Sequence, residues 1–130
     1  AHERGLKPLA RIVAYDDAAV APIDFAIAPA KAIEKLLKRS GMSMQDIQYH
    51  EVNEAFSAVA LANMKLLDLD PSKVNVHGGA VGLGHPIGCS GARILISLIN
   101  VLRQKDASMG MASICNGGGG ASAVILERLN

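Results

Sequence analysis

A cysteine followed by four glycines is the feature of this sequence best suited to chemistry. Cys115 ends an apolar run that begins at Met111, and the glycines at 117–120 separate it from a second apolar run at 121–126. Consecutive glycines cost backbone entropy, and they let another chain or a ligand approach the backbone closely. A thiol at such a turn lies beside backbone N–H groups, which suit a developing oxyanion. The same segment also fits a flexible hairpin beside a buried core cysteine.

A histidine lies in a second glycine-rich loop, upstream of the first. The loop covers residues 78–93 and follows the β-branched segment 74–76. His85 stands between Gly84 and Pro86, so the backbone is constrained on both of its sides. Because imidazole titrates near neutral pH, His85 could act as a base toward a thiol. The alternative is a histidine whose nitrogens are satisfied by loop carbonyls.

A third polar element, Asn53 and Glu54, lies between the strand-like segment 47–52 and an apolar stretch that starts at Ala55. All three elements stand where a predicted strand gives way to a loop or helix. In open α/β sheets, ligands bind at that edge. Asn53 also fits a helix N-cap. Glu54 could orient the loop or His85, or it could be a carboxylate in the first turn of a helix, where the helix dipole favours it.

The segments around these motifs alternate between strand and helix. Predicted strands cover 9–15, 47–52, 74–76, 109–115 and 122–129, and predicted helices cover 30–39, 55–67 and 90–104. Asp16 and Asp17 are predicted to start a connection, and Gly41 to end the first helix. The alternation predicts one α/β domain over 1–130, β-α-β-α-β-α-β-β, with a largely parallel, five-stranded mixed sheet and helices on both faces. The last two strands, joined by the glycine turn, should be antiparallel.

The composition is that of a globular chain with an aliphatic core. Half of the residues are hydrophobic, 3% are aromatic and the formal net charge is +1. This balance gives no basis for nucleic-acid binding, and no apolar segment is long enough to span a bilayer. Cys89 and Cys115 could pair, but two cysteines in glycine-rich loops favour reduced thiols in a cell interior. We therefore expect neither nucleic acid nor a membrane as a partner.

The three motifs together resemble the C-terminal signatures of the thiolases. NEAF at 53–56, GHPIG at 84–88 and CNGGG at 115–119 match that family in identity and order, and the resemblance extends from Leu6 to the end of the chain. The surrounding sequence is most similar to the acetoacetyl-CoA thiolases of the mitochondrial type. The resemblance implies half of a thiolase fold. It also implies an acyltransferase that condenses two acetyl-CoA molecules to acetoacetyl-CoA and CoA, or runs the reverse cleavage. The acylated cysteine of that family belongs to an N-terminal half that this sequence lacks.

The resemblance also implies a role for individual residues. His85 would deprotonate the nucleophilic cysteine of the N-terminal half, and Cys115 would move a proton on and off the α-carbon of the acyl-CoA. The Gly117 N–H would help to form the oxyanion hole. Asn53 would hold a water that, with the histidine, stabilises the enolate oxygen. The backbone carbonyl of Val81 would be one ligand of an activating potassium ion, and the chemistry would need no cofactor beyond the coenzyme A thioester.

Cys89 is the competing thiol. It is predicted to lie at the start of a helix, where the helix dipole favours a thiolate, so physical chemistry alone ranks it above Cys115 as a nucleophile. The thiolase pattern gives it no catalytic role.

Three other functions compete with that of an acetoacetyl-CoA thiolase. The first is a 3-ketoacyl-CoA thiolase of broader chain length. The second is a decarboxylating ketoacyl synthase, which would need a histidine where Cys115 stands. The third is a non-catalytic module for coenzyme A binding or assembly, although no glycine-rich phosphate-loop motif is present.

The resemblance finally implies partners and a location. We expect acyl-CoA substrates, the chain's own N-terminal thiolase half, and a homo-oligomer, either a dimer or a tetramer. The helix at 55–67 has apolar residues nearly all round and should be buried in the middle layer of such a protein. The expected compartment is the mitochondrion, with the cytoplasm as the alternative.

Overall fold

A four-stranded mixed sheet forms the centre of the fold. The computed structural model describes residues 2–129, with side chains from residue 3. The strands are β1 (Ala10–Ala19), β2 (Tyr49–Val52), β3 (Met109–Cys115) and β4 (Gly120–Arg128). They lie in the order β1-β4-β3-β2. β2 runs parallel to β3, whereas β4 is antiparallel to both β3 and β1.

The prediction of a largely parallel, five-stranded sheet was wrong. The segment at 74–76 makes only an isolated bridge, between Val74 and His50. Asn75 has a left-handed backbone, with φ of 48°. Its side-chain amide accepts from the Val52 N–H at 2.8 Å and donates to the Val52 carbonyl at 2.9 Å. An asparagine side chain therefore takes the place that the backbone of a fifth strand would have occupied.

The first strand is longer than the sequence predicted, because Asp16 and Asp17 continue it instead of starting a connection. The Asp16 carboxylate is buried, and it is paired with Lys35 at 2.8 Å and with Arg39 at 3.3 Å. These two cations compensate a charge that would otherwise disfavour a strand position packed beneath a helix.

The described residues form four α-helices: α1 (Ala28–Ser40), α2 (Ser57–Leu67), α3 (Ala80–Leu83) and α4 (Ile87–Gln104). Short 3₁₀ segments cover His2–Arg4, Pro22–Ile27, Met44–Asp46 and Pro71–Lys73. Gly41 ends α1 with φ of 70°, which confirms the predicted glycine cap. The short helix α3 was not predicted, because its four residues lie within the glycine-rich loop.

The helices pack on both faces of the sheet, as predicted. On one face, Ile33 and Leu36 of α1 pack against a cluster that includes Met111 and Ile125. On the other face, α4 packs against the sheet through side chains that share one stripe of the helix: Ile94, Leu98 and Leu102. The sheet is therefore the middle of three layers, and its strand ends are left accessible.

Helix α2 is only partly buried in this chain. Val59, Ala60 and Asn63 face the protein, whereas Leu61 and Leu66 are exposed. The buried Asn63 side chain joins α2 to the start of α1, accepting from the Ala30 N–H at 2.7 Å. None of the helices within residues 2–129 is long and apolar enough to cross a membrane.

Candidate functional site

His85, Cys115 and Gly117 line one cleft of about 500 Å³. The cleft lies at the carboxyl ends of the parallel strands β2 and β3, where the sequence predicts a ligand site. Its remaining walls are largely apolar and come from Pro22, Phe25, Ala55, Phe56, Ile87, Ile114, Asn116 and Gly118. All three sequence motifs therefore contribute to the same cleft.

Cys115 is the last residue of β3 and is only 5% exposed. Burial raises the pKa of its thiol, so the side chain is protonated at neutral pH. The glycine turn that follows is anchored to the end of β1, since the Val20 N–H donates to the Gly119 carbonyl at 2.9 Å. A Cβ on Gly119 would overlap with the Val20 carbonyl, and its φ of 89° also favours glycine. The turn is thus built for a close backbone approach.

His85 lies between α3 and α4, and its ring is held from behind. Its Nδ1 is 2.6 Å from the Ser90 Oγ, and the Ser90 hydroxyl is 3.2 Å from the Pro86 carbonyl. When Ser90 donates to that carbonyl, its oxygen accepts the hydrogen on Nδ1. The imidazole Nε2 is then unprotonated and is the nitrogen left for the cleft. This arrangement suits a base.

Asn53 lies behind His85 and is not among the residues that line the cleft. It is completely buried, and its amide Nδ2 is 3.5 Å from the His85 Nδ1. Its Oδ1 accepts from the Arg93 Nη2 at 3.0 Å. The interpretation of Asn53 as a helix N-cap was wrong, because α2 begins only at Ser57.

Glu54 holds the loop that carries His85. Its carboxylate accepts from the Val81 N–H at 3.0 Å and from the Asn75 side-chain amide at 2.9 Å. A Cβ on Gly79 would overlap with this carboxylate, which explains the glycine there. Glu54 therefore orients the loop, and its interpretation as a first-turn residue of α2 was wrong, again because that helix begins at Ser57.

Val81 and Cys89 are both exposed and lie outside the set of cleft-lining residues in the described part of the chain. Cys89 is in the first turn of α4, as predicted. Val81 belongs to α3, in which the carbonyls of Gly79 and Ala80 accept backbone N–H groups. The Val81 carbonyl belongs to the last turn, where helix carbonyls lack intrahelical partners. Such an oxygen fits a hard cation.

Sequence reasoning missed Ser90 and Arg93. Both project from α4 toward the site, and their three-residue separation puts them on one side of the helix. That spacing was visible in the sequence. The sequence did not show that these two side chains would contact His85 and Asn53.

The chain is similar to known proteins over nearly its whole length. Residues 6–128 match the family model described as "Thiolase, C-terminal domain". The chain belongs to the thiolase family. Among its thiolase relatives, the mitochondrial acetyl-CoA acetyltransferase of Rattus norvegicus is 64% identical over 124 residues, 95% of this chain and 29% of that protein. The cytosolic acetyl-CoA acetyltransferase of Gibberella zeae is 55% identical over 127 residues, 98% of this chain and 32% of that protein.

The thiolase fold is equally clear among solved structures. The Acat5 thiolase from Ascaris suum, solved in complex with coenzyme A, has a TM-score of 0.91 and 51% sequence identity to this chain. The match covers 98% of this chain and 33% of that one. The chain thus spans about three tenths of the length of the curated relatives it matches.

Proposed function

We propose that this chain is the C-terminal catalytic domain of an acetyl-CoA C-acetyltransferase. The reaction joins two acetyl-CoA molecules to acetoacetyl-CoA and CoA, and its reverse is thiolytic cleavage. The observation that carries the proposal is the convergence of Cys115, His85 and the Gly117 backbone on one apolar cleft at the strand ends. The names of the rat and fungal relatives, and the coenzyme A bound to the Ascaris thiolase, support this choice of substrate.

In this proposal His85 activates the nucleophile. The nucleophile is a cysteine supplied by the N-terminal half of the thiolase, and the unprotonated Nε2 accepts its thiol proton. The thiolate then attacks the carbonyl carbon of the first acetyl-CoA, the bond to the CoA sulfur breaks, and an acetyl thioester remains. The Gly117 N–H donates to the oxygen on which negative charge develops.

Cys115 handles the second proton. Its thiol first gives its proton to the departing CoA thiolate, and the Cys115 thiolate that remains removes the α-proton of the second acetyl-CoA, whose carbanion attacks the acetyl thioester. A carbon–carbon bond forms and the nucleophilic cysteine leaves as its thiolate. In the cleavage direction the Cys115 thiol returns a proton to the α-carbon, which suits a group whose pKa is raised by burial. Asn53 acts from behind the ring, where its Nδ2 lies 3.5 Å from the His85 Nδ1, and so supports the histidine that stabilises the enolate oxygen.

A chimera tests whether His85 and Cys115 act on different protons of the reaction. Residues 6–128 replace the matching segment of the rat enzyme, and acetylation is followed by mass spectrometry beside acetoacetyl-CoA formation. We expect Cys115→Ala to be acetylated but to form no acetoacetyl-CoA. Cys89→Ala is the matched control and should keep both activities. A Cys115→Ala chimera that cannot be acetylated, or loss of turnover in Cys89→Ala, would contradict the assignment.

The 130-residue chain alone should show no turnover. A catalytic unit that lacks one member loses most of its rate, and the nucleophile belongs to the other half. Cleavage of acetoacetyl-CoA by the purified chain, abolished by Cys89→Ala, would instead identify Cys89 as a nucleophile.

The proposal extends to assembly, location and an ion. The exposed apolar side chains of α2, such as Leu61 and Leu66, suit burial against the N-terminal half in a dimeric or tetrameric thiolase. The compartment is the mitochondrion, as for the rat relative, with the cytoplasm as the alternative. A potassium ion, when bound, takes the Val81 carbonyl as a ligand and stabilises the adjacent loop. Comparing the thermal stability of the chimera in potassium and sodium salts tests this, since equal stabilities would argue against the ion site.

A further inference from the structure

A buried charge pair lies behind the catalytic histidine. The Glu51 side chain, on β2, is 1% exposed, and the Arg93 side chain, on α4, is 19% exposed. The distance from Glu51 Oε2 to Arg93 Nη1 is 3.4 Å. Removing two charges from water is costly, and an apolar pair of similar size is often equally stable. Stability alone therefore does not account for this pair.

Arg93 has a second contact that does bear on the site. Its Nη2 donates to the Asn53 Oδ1 at 3.0 Å. A guanidinium carries only hydrogen-bond donors, so the Asn53 amide must turn its oxygen toward Arg93. Its NH₂ group then faces His85. Asn53 has no freedom to turn around while Arg93 is in place.

We propose that Arg93 is a positioning residue for His85, acting through the Asn53 amide, with Glu51 holding the guanidinium. This rests on the proposed function, in which His85 is the base. The His85 ring lies between Ser90, 2.6 Å from its Nδ1, and the Asn53 NH₂ group, 3.5 Å from the same atom. An amide NH₂ group and a protonated Nδ1 are both donors, so the 3.5 Å approach is not a hydrogen bond and Asn53 offers the ring no acceptor. The Nδ1 hydrogen is therefore left to Ser90, and Nε2 keeps its direction into the cleft.

Loss of Arg93 would free the amide to turn. Its oxygen could then compete with Ser90 for the Nδ1 hydrogen, and the ring would tilt. A small misplacement of a reacting group lowers the rate strongly, so we expect kcat to fall on the order of 10- to 100-fold. The KM for acetyl-CoA should stay unchanged, because Arg93 is not among the residues that line the cleft.

A double variant separates positioning from stability. Above the Glu51 pKa of about 7, Arg93→Met alone leaves an ionised carboxylate buried without its partner, which should destabilise the protein. Combining Glu51→Leu with Arg93→Met removes both charges and should restore the melting temperature. If the pair serves only stability, the double variant regains its activity too. The positioning role predicts that it stays slow in acetylation.

The chimera with the rat N-terminal portion provides the kinetic assay. Arg103→Met, which removes an exposed arginine from the last turn of the same helix, is the matched control and should retain the parental kcat. Arg93→Lys keeps one donor for the Asn53 oxygen and should recover part of the rate that Arg93→Met loses. A double variant that acetylates and condenses at the parental rate overturns the inference.

A second readout does not depend on activity. In the isotopically labelled 130-residue chain, the side-chain amide hydrogens of Asn53 should exchange slowly with solvent. We expect faster exchange and shifted resonances in Arg93→Met and in the double variant, but not in Arg103→Met. Unchanged Asn53 resonances in Arg93→Met would overturn the inference whatever the turnover. A parental chimera that forms no acetoacetyl-CoA would refute the proposed function, and the resonances would still decide whether Arg93 holds the amide.

Discussion

His50 should make the stability of this chain depend on pH in a direction that can be measured. It lies in β2, is 5% exposed, and its Nδ1 has no hydrogen-bond partner among the described residues. Burial lowers the pKa of His50 from 6.5 to about 4, and the positive charge of Lys73 acts in the same direction. The folded protein therefore holds this imidazole in its neutral form.

The sign and size of the effect follow from the two pKa values. Between pH 6.5 and about 4 the unfolded chain binds a proton at His50 that the folded chain does not. The contribution is therefore fully present above pH 6.5 and is lost as the pH falls toward about 4. The difference between the two pKa values corresponds to about 3 kcal/mol of unfolding free energy.

Urea unfolding followed by circular dichroism measures this contribution. The chain and its His50→Gln variant are compared from above pH 6.5 down to about 4. Because the carboxylates titrate in both proteins, the difference between the two curves isolates His50. His77→Gln, which removes an exposed histidine, controls for the loss of any histidine. A difference between the chain and His50→Gln that stays constant within about 0.5 kcal/mol over this range would refute the reasoning.

Three further changes give distinct outcomes. Burial raises the pKa of Glu51 from 4.5 to about 7, against the opposing charge of a nearby arginine, so its folded form binds a proton more tightly. The contribution of Glu51 to the free energy of unfolding is present below pH 4.5 and is lost as the pH rises to about 7. Glu51→Gln should remove this pH-dependent contribution, which amounts to about 3 kcal/mol and can be measured by urea unfolding. A Cβ on Gly110 would lie 2.6 Å from a Leu98 methyl carbon, so Gly110→Ala should cost about 1–3 kcal/mol, partly recovered by Leu98→Val in thermal unfolding. Gly79→Ala should displace the Glu54 carboxylate and lower both the melting temperature and the turnover of the chimera, and Glu54→Asp should restore part of both.

The elements with local signals were predictable from the sequence. The β3 strand was predicted with the bounds that the structure has, because an apolar run there ends at a glycine turn. The end of α1 was marked by Gly41. The prediction of a strand at 74–76 was wrong. The two valines of this segment favour a strand, but Asn75 bonds to β2 through its side chain instead of its backbone. The predicted β1 ended before Asp16, because the charge of Asp16 is compensated by Lys35 and Arg39 of α1 only once that helix packs against the strand.

The residues of the site also divide into those that a local sequence motif marks and those that none marks. His85 and Cys115 stand in motifs that the sequence displays, and the cleft contains both. Arg93 and Glu51 carry no local signal, because their pairing exists only once α4 lies against β2, across 42 residues of sequence. A residue that acts through another one is visible only after the elements that carry both have been placed.

The side chain of Asn75 also decides how this sheet can grow. Val52 would present its outward N–H and carbonyl groups to any further strand, but the Asn75 amide bonds to both, and the Asn75 N–H donates to the His50 carbonyl at 2.9 Å. Open strand edges recruit other strands, and proteins block them in several ways. Here one amide closes the β2 edge. Any neighbour that extends the sheet by backbone pairing has to join it at β1, on the opposite side of the molecule.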